Sequence, residues 1–154
     1  MAKSTTDAKS ALGQLEDTLE VYLVDKAPFQ LPANIKELIV KFAPWISLIM
    51  LIITLPAILL AFGLGALVAP FAFLGGVQAG VSFGVGMIFG LVMLVLEALA
   101  IPGLFGRKKS AWNLLFYASL LGAIQNVLSF NLGGLVIGTL ISLYFLFQVK
   151  SYYK

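Results

Sequence analysis

Between Lys41 and Arg107 the only charged residue is Glu97. An isolated carboxylate in hydrocarbon costs several kcal/mol, so it must find partners, hold its proton or reach water. Tyr117 and Tyr144 fall at similar depth on neighbouring apolar segments, while Arg107, Asn113 and Gln148 lie nearer the surface. The expectation is an intramembrane polar site of Glu97, Tyr117 and Tyr144, in which the carboxyl hydrogen-bonds a tyrosine or reaches Arg107. Its chemistry would be proton or ion coupling. The plainer alternative is a glutamate that snorkels to the interface and only anchors its helix. At the other end of the same segments Gln78, Gln125, Asn126 and Asn131 gather. They either bond one another across helices, at about 0.6 kcal/mol per pair, or line a shallow polar pocket.

Other chemistry is missing. There is no cysteine and no histidine, which removes disulfides, thiolate metal sites, thiol nucleophiles and the usual proton shuttle at neutral pH. No two carboxylates pair at membrane depth, and no phosphate-loop pattern occurs. Gly84-x-Gly86-x-x-x-Gly90 is not the dinucleotide fingerprint and sits inside an apolar run rather than after a strand. The chain is expected to be no enzyme, with no metal and no cofactor.

The elements that would carry these residues are helices in lipid. Hydrophobic residues make up 60% of the 154 and charged ones 11%. A soluble domain carries about 25% charged residues, so this chain cannot cover a water-facing surface and lipid must be part of its solvent. The fold class expected is all-α: a polytopic membrane protein of about four transmembrane helices, preceded by a short amphipathic helix and an interfacial helix. Residues 1–43 form the polar amphipathic segment and 44–154 the four-helix domain. The polar start argues against a cleavable signal peptide.

Ser10 is expected to cap a helix to about Val24, with Ala8, Leu12, Leu15, Leu19 and Tyr22 as its apolar stripe and Glu16, Asp17 and Glu20 opposite. Pro28 and Pro32 break it. Asn34 and Glu37 have capping-box spacing and suggest a fresh start, with Ile35, Leu38, Ile39 and Phe42 facing the interface. The spans expected are Trp45 to about Val68 (kinked at Pro56), Val77 to Ile101 (ended by Pro102-Gly103), Trp112 to Phe130, and Leu132 to Val149 after a tight turn at Asn131 and Gly133. Glycines and Pro70 make 63–76 irregular enough for a re-entrant piece.

With four spans, all ten basic residues fall on one side. The positive-inside rule makes that side cytoplasmic, with both termini there, in the cell or inner membrane. Arg107, Lys108 and Lys109 are then contacts for anionic lipid headgroups rather than for nucleic acid, despite the net charge of +3. Trp45, Trp112, Tyr152 and Tyr153 suit the aromatic belt.

Small residues mark where helices touch, because close backbone approach is what associates helices in lipid. Gly76, Gly80, Gly84, Gly86 and Gly90 share one half of the second span, with Glu97 on the same half. Gly134, Gly138 and Ser142 form a row in the fourth, and Ala118, Gly122, Gln125 and Ser129 share a face of the third. These rows pack one bundle or join a homo-oligomer. The function expected is a non-catalytic scaffold or accessory subunit, with a protein partner or the bilayer met through residues 10–42. A small channel or transporter, and a lipid-binding or membrane-shaping protein, are the alternatives.

Overall fold

The computed structural model describes residues 2–154, and the described residues form helices and turns with no strand. The fold is that of an all-α membrane protein. Ala33–Gly75, Val77–Phe105 and Lys109–Leu128 are each long and apolar enough to cross a bilayer. The fourth apolar helix, Gly134–Gln148, is shorter than the about 20 residues a crossing ordinarily takes.

Helix α1 is Ala2–Glu20, widened into a π-helical turn over Val21–Asp25. Ser10 does not cap it. It sits mid-helix and donates to the carbonyl of Asp7 at 2.9 Å, the backbone bond serine favours when it is caught inside a helix. The chain then breaks across Pro28 and Pro32, as their rings require.

Helix α2, Ala33–Ala72, corrects the sequence expectation in two ways. The capping box at Asn34 and Glu37 is not formed: extended Pro32 is the cap, and its carbonyl accepts from the amides of Ile35 and Lys36. The interfacial helix and the first span are also one helix, which runs through Pro44, Pro56 and Pro70 without ending and leaves no re-entrant piece in 63–76. In lipid each remaining backbone hydrogen bond has no water to replace it, so losing three donors costs less than breaking the helix. A short 3₁₀ turn, Phe73–Gly75, and Gly76 at φ 103° reverse the chain. Only glycine adopts that left-handed backbone without strain.

Helix α3, Val77–Phe105, outlasts its expected end by one turn, carrying Pro102 within it. It stops in a Schellman arrangement: Arg107 takes the left-handed position at φ 50°, its amide donates to Leu104, and that of Lys108 donates to Gly103. Gly103 is needed here, because a Cβ would stand 2.7 Å from that of Ala111 across the loop. Helix α4, Lys109–Leu128, ends the same way, with Phe130 at φ 53° and the Asn131 amide on the Asn126 carbonyl. The Asn131 side chain then accepts from the Gly134 amide at 2.9 Å and starts the next helix. That helix is π-wound over Gly134–Thr139 and becomes α5, Leu140–Gln148.

Helix α2 packs on α3, α3 on α4, and α4 on α5, but contacts between α2 and α5 are too few to close the ring. The tight packing is concentrated at the end where α1, the α3–α4 loop and the chain after α5 meet, called here the basic end. Trp112 is fully buried there, stacked on Phe116 and edge-on to Phe147 at 5.2 Å, with its indole N–H donating to the Leu146 carbonyl at 2.8 Å. Leu104, Leu143, Leu146 and Val40 complete this core, and Leu19, Leu23 and Val24 of the N-terminal segment cover it. The far halves of α2 and α3 expose apolar side chains such as Ile53, Leu60, Val81 and Ile88, as lipid-facing surfaces do.

Replacing Trp112 by alanine removes the largest buried side chain and is expected to cost about 3–5 kcal/mol. Trp112→Phe keeps a ring and loses the indole hydrogen bond, at about 1 kcal/mol. Thermal melting in detergent followed by circular dichroism checks the order: wild type above Trp112→Phe, with Trp112→Ala well below both.

Candidate functional site

The gap between α2 and α5 is a cleft of about 610 Å³, floored by α3 and α4. Glu97 lines it from α3 beside Met93. Ser119, Gly122 and Asn126 line it from α4, and Thr139 and Ser142 from the facing helix. Ser119 and Ser142 meet hydroxyl to hydroxyl at 3.3 Å, across the α4–α5 contact. Ile39, Ile46, Leu115, Phe145 and Val149 supply an apolar remainder, and among the described residues no lysine or arginine borders the space.

The intramembrane site expected at Glu97, Tyr117 and Tyr144 is assembled differently. The Tyr144 hydroxyl donates to the Phe29 carbonyl at 2.5 Å, tying α5 to the N-terminal segment. Tyr117 stands beside the Phe116 ring, and neither tyrosine is joined to Glu97. The carboxyl keeps to the cleft wall instead. At the turn end Asn131 donates to Asn126 at 3.3 Å, while Gln78 is exposed at the start of α3. Within the chain, Gly80 is closely approached: a Cβ would fall 2.4 Å from the Phe73 ring. A Cβ on Gly76, Gly84, Gly86, Gly90 or Gly138 would meet nothing within 4 Å, and one on Gly134 would collide with the side chains of Asn131 and Asn126.

A second cluster, absent from the sequence expectation, lies at the basic end. Lys150 reaches Glu16 at 2.9 Å and also pairs with Glu20, while Lys109 reaches Glu16 at 3.4 Å. Lys109 lies 3.8 Å above the Trp112 ring, a favourable seat for a cation. Of the three residues expected to meet headgroups, Arg107 and Lys108 are exposed, whereas Lys109 is turned into this cluster. The α1 stripe is correspondingly rotated. Leu12, Glu16, Leu19, Glu20 and Leu23 face the bundle, while Leu15 and Tyr22 point outward. At about 100° per residue that is a rotation of roughly 60°. The cause is electrostatic: the two lysines draw the acidic residues inward.

Gln148 adds to this strap, in which the N-terminal segment is tied across the ends of α4 and α5. It is 2% exposed, donates to the Leu23 carbonyl at 2.9 Å and accepts from the Leu31 amide at 3.4 Å. A buried amide so satisfied holds the linker to α5 at both of its polar atoms. Glutamates four apart on a helix and a glutamine at the end of an apolar segment were the available signals. Lys109 alone of the two lysines is expected at the headgroups and Lys150 enters only the charge count, and no spacing along the chain pairs either with Glu16.

Burial works against the Glu16 charge, but Lys150 and Lys109 outweigh it and hold the carboxyl below its ordinary value of 4.5. Burial likewise opposes the Lys150 charge, and Glu20 and Glu16 overcome it and raise the ammonium above 10.5. Glu16 therefore stabilises the strap above the ordinary carboxylate range, an effect lost as pH falls through its lowered pKa. Lys150 stabilises it up to 10.5, an effect lost as pH rises through its raised pKa. With Trp45→Phe leaving Trp112 as the only tryptophan, its emission should stay blue-shifted between those limits and shift red below pH 4.5. In Glu16→Gln it should be partly red-shifted at neutral pH with the acid step gone.

Comparison with protein-family models, with curated proteins and with solved structures finds no match to this chain.

Proposed function

We propose that this chain is a non-catalytic integral membrane protein that serves as a scaffold or accessory subunit, with both termini in the cytoplasm. The orientation follows from charge. All ten basic residues lie in the N-terminal 41, in the α3–α4 loop region or after α5, and the positive-inside rule assigns that end to the cytoplasm.

The observation that carries the accessory role is how α1 is held. Ion pairs and the Leu19, Leu23 and Val24 contacts fix one face to the bundle. Leu15 and Tyr22 flank that face, 40% and 60% exposed, with Phe29 two-thirds exposed beyond them. A short helix held rigidly by its inner face binds a partner with its outer face at little ordering cost. Exposed apolar groups of this kind, at the membrane surface, suit a protein partner or the bilayer interface. A homo-oligomer through the second span is a further reading, supported by the open space over Gly84, Gly86 and Gly90, since close helix approach needs such positions.

Changing Leu15 and Tyr22 together to aspartate tests the accessory role. Any protein that co-purifies with the wild type from native membranes should be lost from the double variant, while the thermal melt of the bundle stays unchanged. Retention of that protein, or a wild type that purifies alone, would count against the role.

A further inference from the structure

We propose that the cleft between α2 and α5 is a binding site for a small single-chain amphiphile with a protonated amine head, with Glu97 as the counter-charge. Its volume of about 610 Å³ lies within the about 300–1,000 Å³ of small-molecule sites. Another protein's transmembrane helix, about 10 Å across and 30 Å long, occupies on the order of 2,000 Å³ and does not fit. The walls match an amphiphile: Ile39, Ile46, Leu115 and Phe145 offer hydrocarbon contact, and the polar groups are confined to a few side chains.

The charge of the head follows from what lines the space. Among the described residues Glu97 is the only acidic one on the wall, and no basic one balances it. A carboxyl alone at low dielectric is driven to hold its proton, and an ammonium head supplies the partner that lets it ionise, which an anionic head cannot do. An ammonium donates in three directions, and the hydroxyls of Ser119 and Ser142 stand on the same lining as acceptors. Access is lateral. Because α2 and α5 do not pack along their lengths, an amphiphile already in the bilayer enters without the bundle opening. This site goes beyond the accessory role and does not depend on it.

The test uses the full chain in phosphatidylcholine nanodiscs, with dodecylamine carrying a diazirine at its chain end, and the matching dodecanol as control. Labelled positions are read by peptide mass spectrometry. The amine should label cleft-lining segments saturably, with unlabelled dodecylamine competing, and Glu97→Gln should weaken that labelling about tenfold. The alcohol should label the cleft less and ignore the substitution. Gly138→Phe, at a cleft position where a Cβ meets nothing within 4 Å, should fill the space and block both probes. Equal labelling by amine and alcohol, no effect of Glu97→Gln, or labelling spread over outward residues such as Ile53 and Leu60 would overturn the proposal. Should Glu97→Gln fail to fold, undiminished labelling of Gly138→Phe would overturn it alone.

Discussion

The Lys150 ammonium stands between the carboxylates of Glu16 and Glu20, with the rings of Trp112 and Phe147 within 5.6 Å. Cations crowd this end of the bundle, and without counter-charge their mutual repulsion would splay the chain ends. Helix α1 brings the counter-charge. Once it is drawn in, Leu19, Leu23 and Val24 land on the buried cluster around Trp112, and Gln148 finds its partners on Leu23 and Leu31. The last residues are held in turn, with the Lys154 backbone paired to Arg107 and Lys109. Single exposed ion pairs contribute little. Here three share two lysines over a buried indole, and the hydrophobic contacts they align supply most of the stabilisation.

Concentrating the packing at one end explains the opening beside it. Helix α5 is pulled toward α4 and the N-terminal segment by Trp112 on Leu146 and Tyr144 on Phe29. Helix α2 is governed instead by its turn into α3 at Gly76. The two end helices share the buried core at Val40 but make few contacts with each other, which leaves the cleft with Glu97 on its wall. A water-soluble protein would collapse such a gap to bury its apolar lining. In a bilayer, lipid contact makes that collapse nearly neutral, so the gap persists.

Helical class, the apolar segments and the gathering of basic residues were legible because they depend on composition and on charge counted along the chain. The break at Pro28–Pro32 and the turn at Asn131 were legible because proline and asparagine act locally. Boundaries at Pro44 and Pro102 were misread. Proline ends helices in water, where freed carbonyls are rehydrated, and that exit is closed in lipid. The face of α1 was misread because a hydrophobic stripe was weighed without the lysines, more than 90 residues away, that select the acidic side. Glu97 was recognised as unusual from its type alone. Its surroundings were not legible, since Tyr144 was claimed by a carbonyl in the linker, and no sequence spacing encodes that.

Helix α1 is clamped across the ends of α4 and α5, and a distance measured between the two is the decisive experiment. The chain has no cysteine, so nitroxides attached through Ala11→Cys and Ser151→Cys, both exposed positions, report without background labelling. Pulsed electron resonance in nanodiscs at neutral pH should give one narrow, short distance distribution. A broad or long one would mean that α1 lies free on the bilayer, and the account would be wrong.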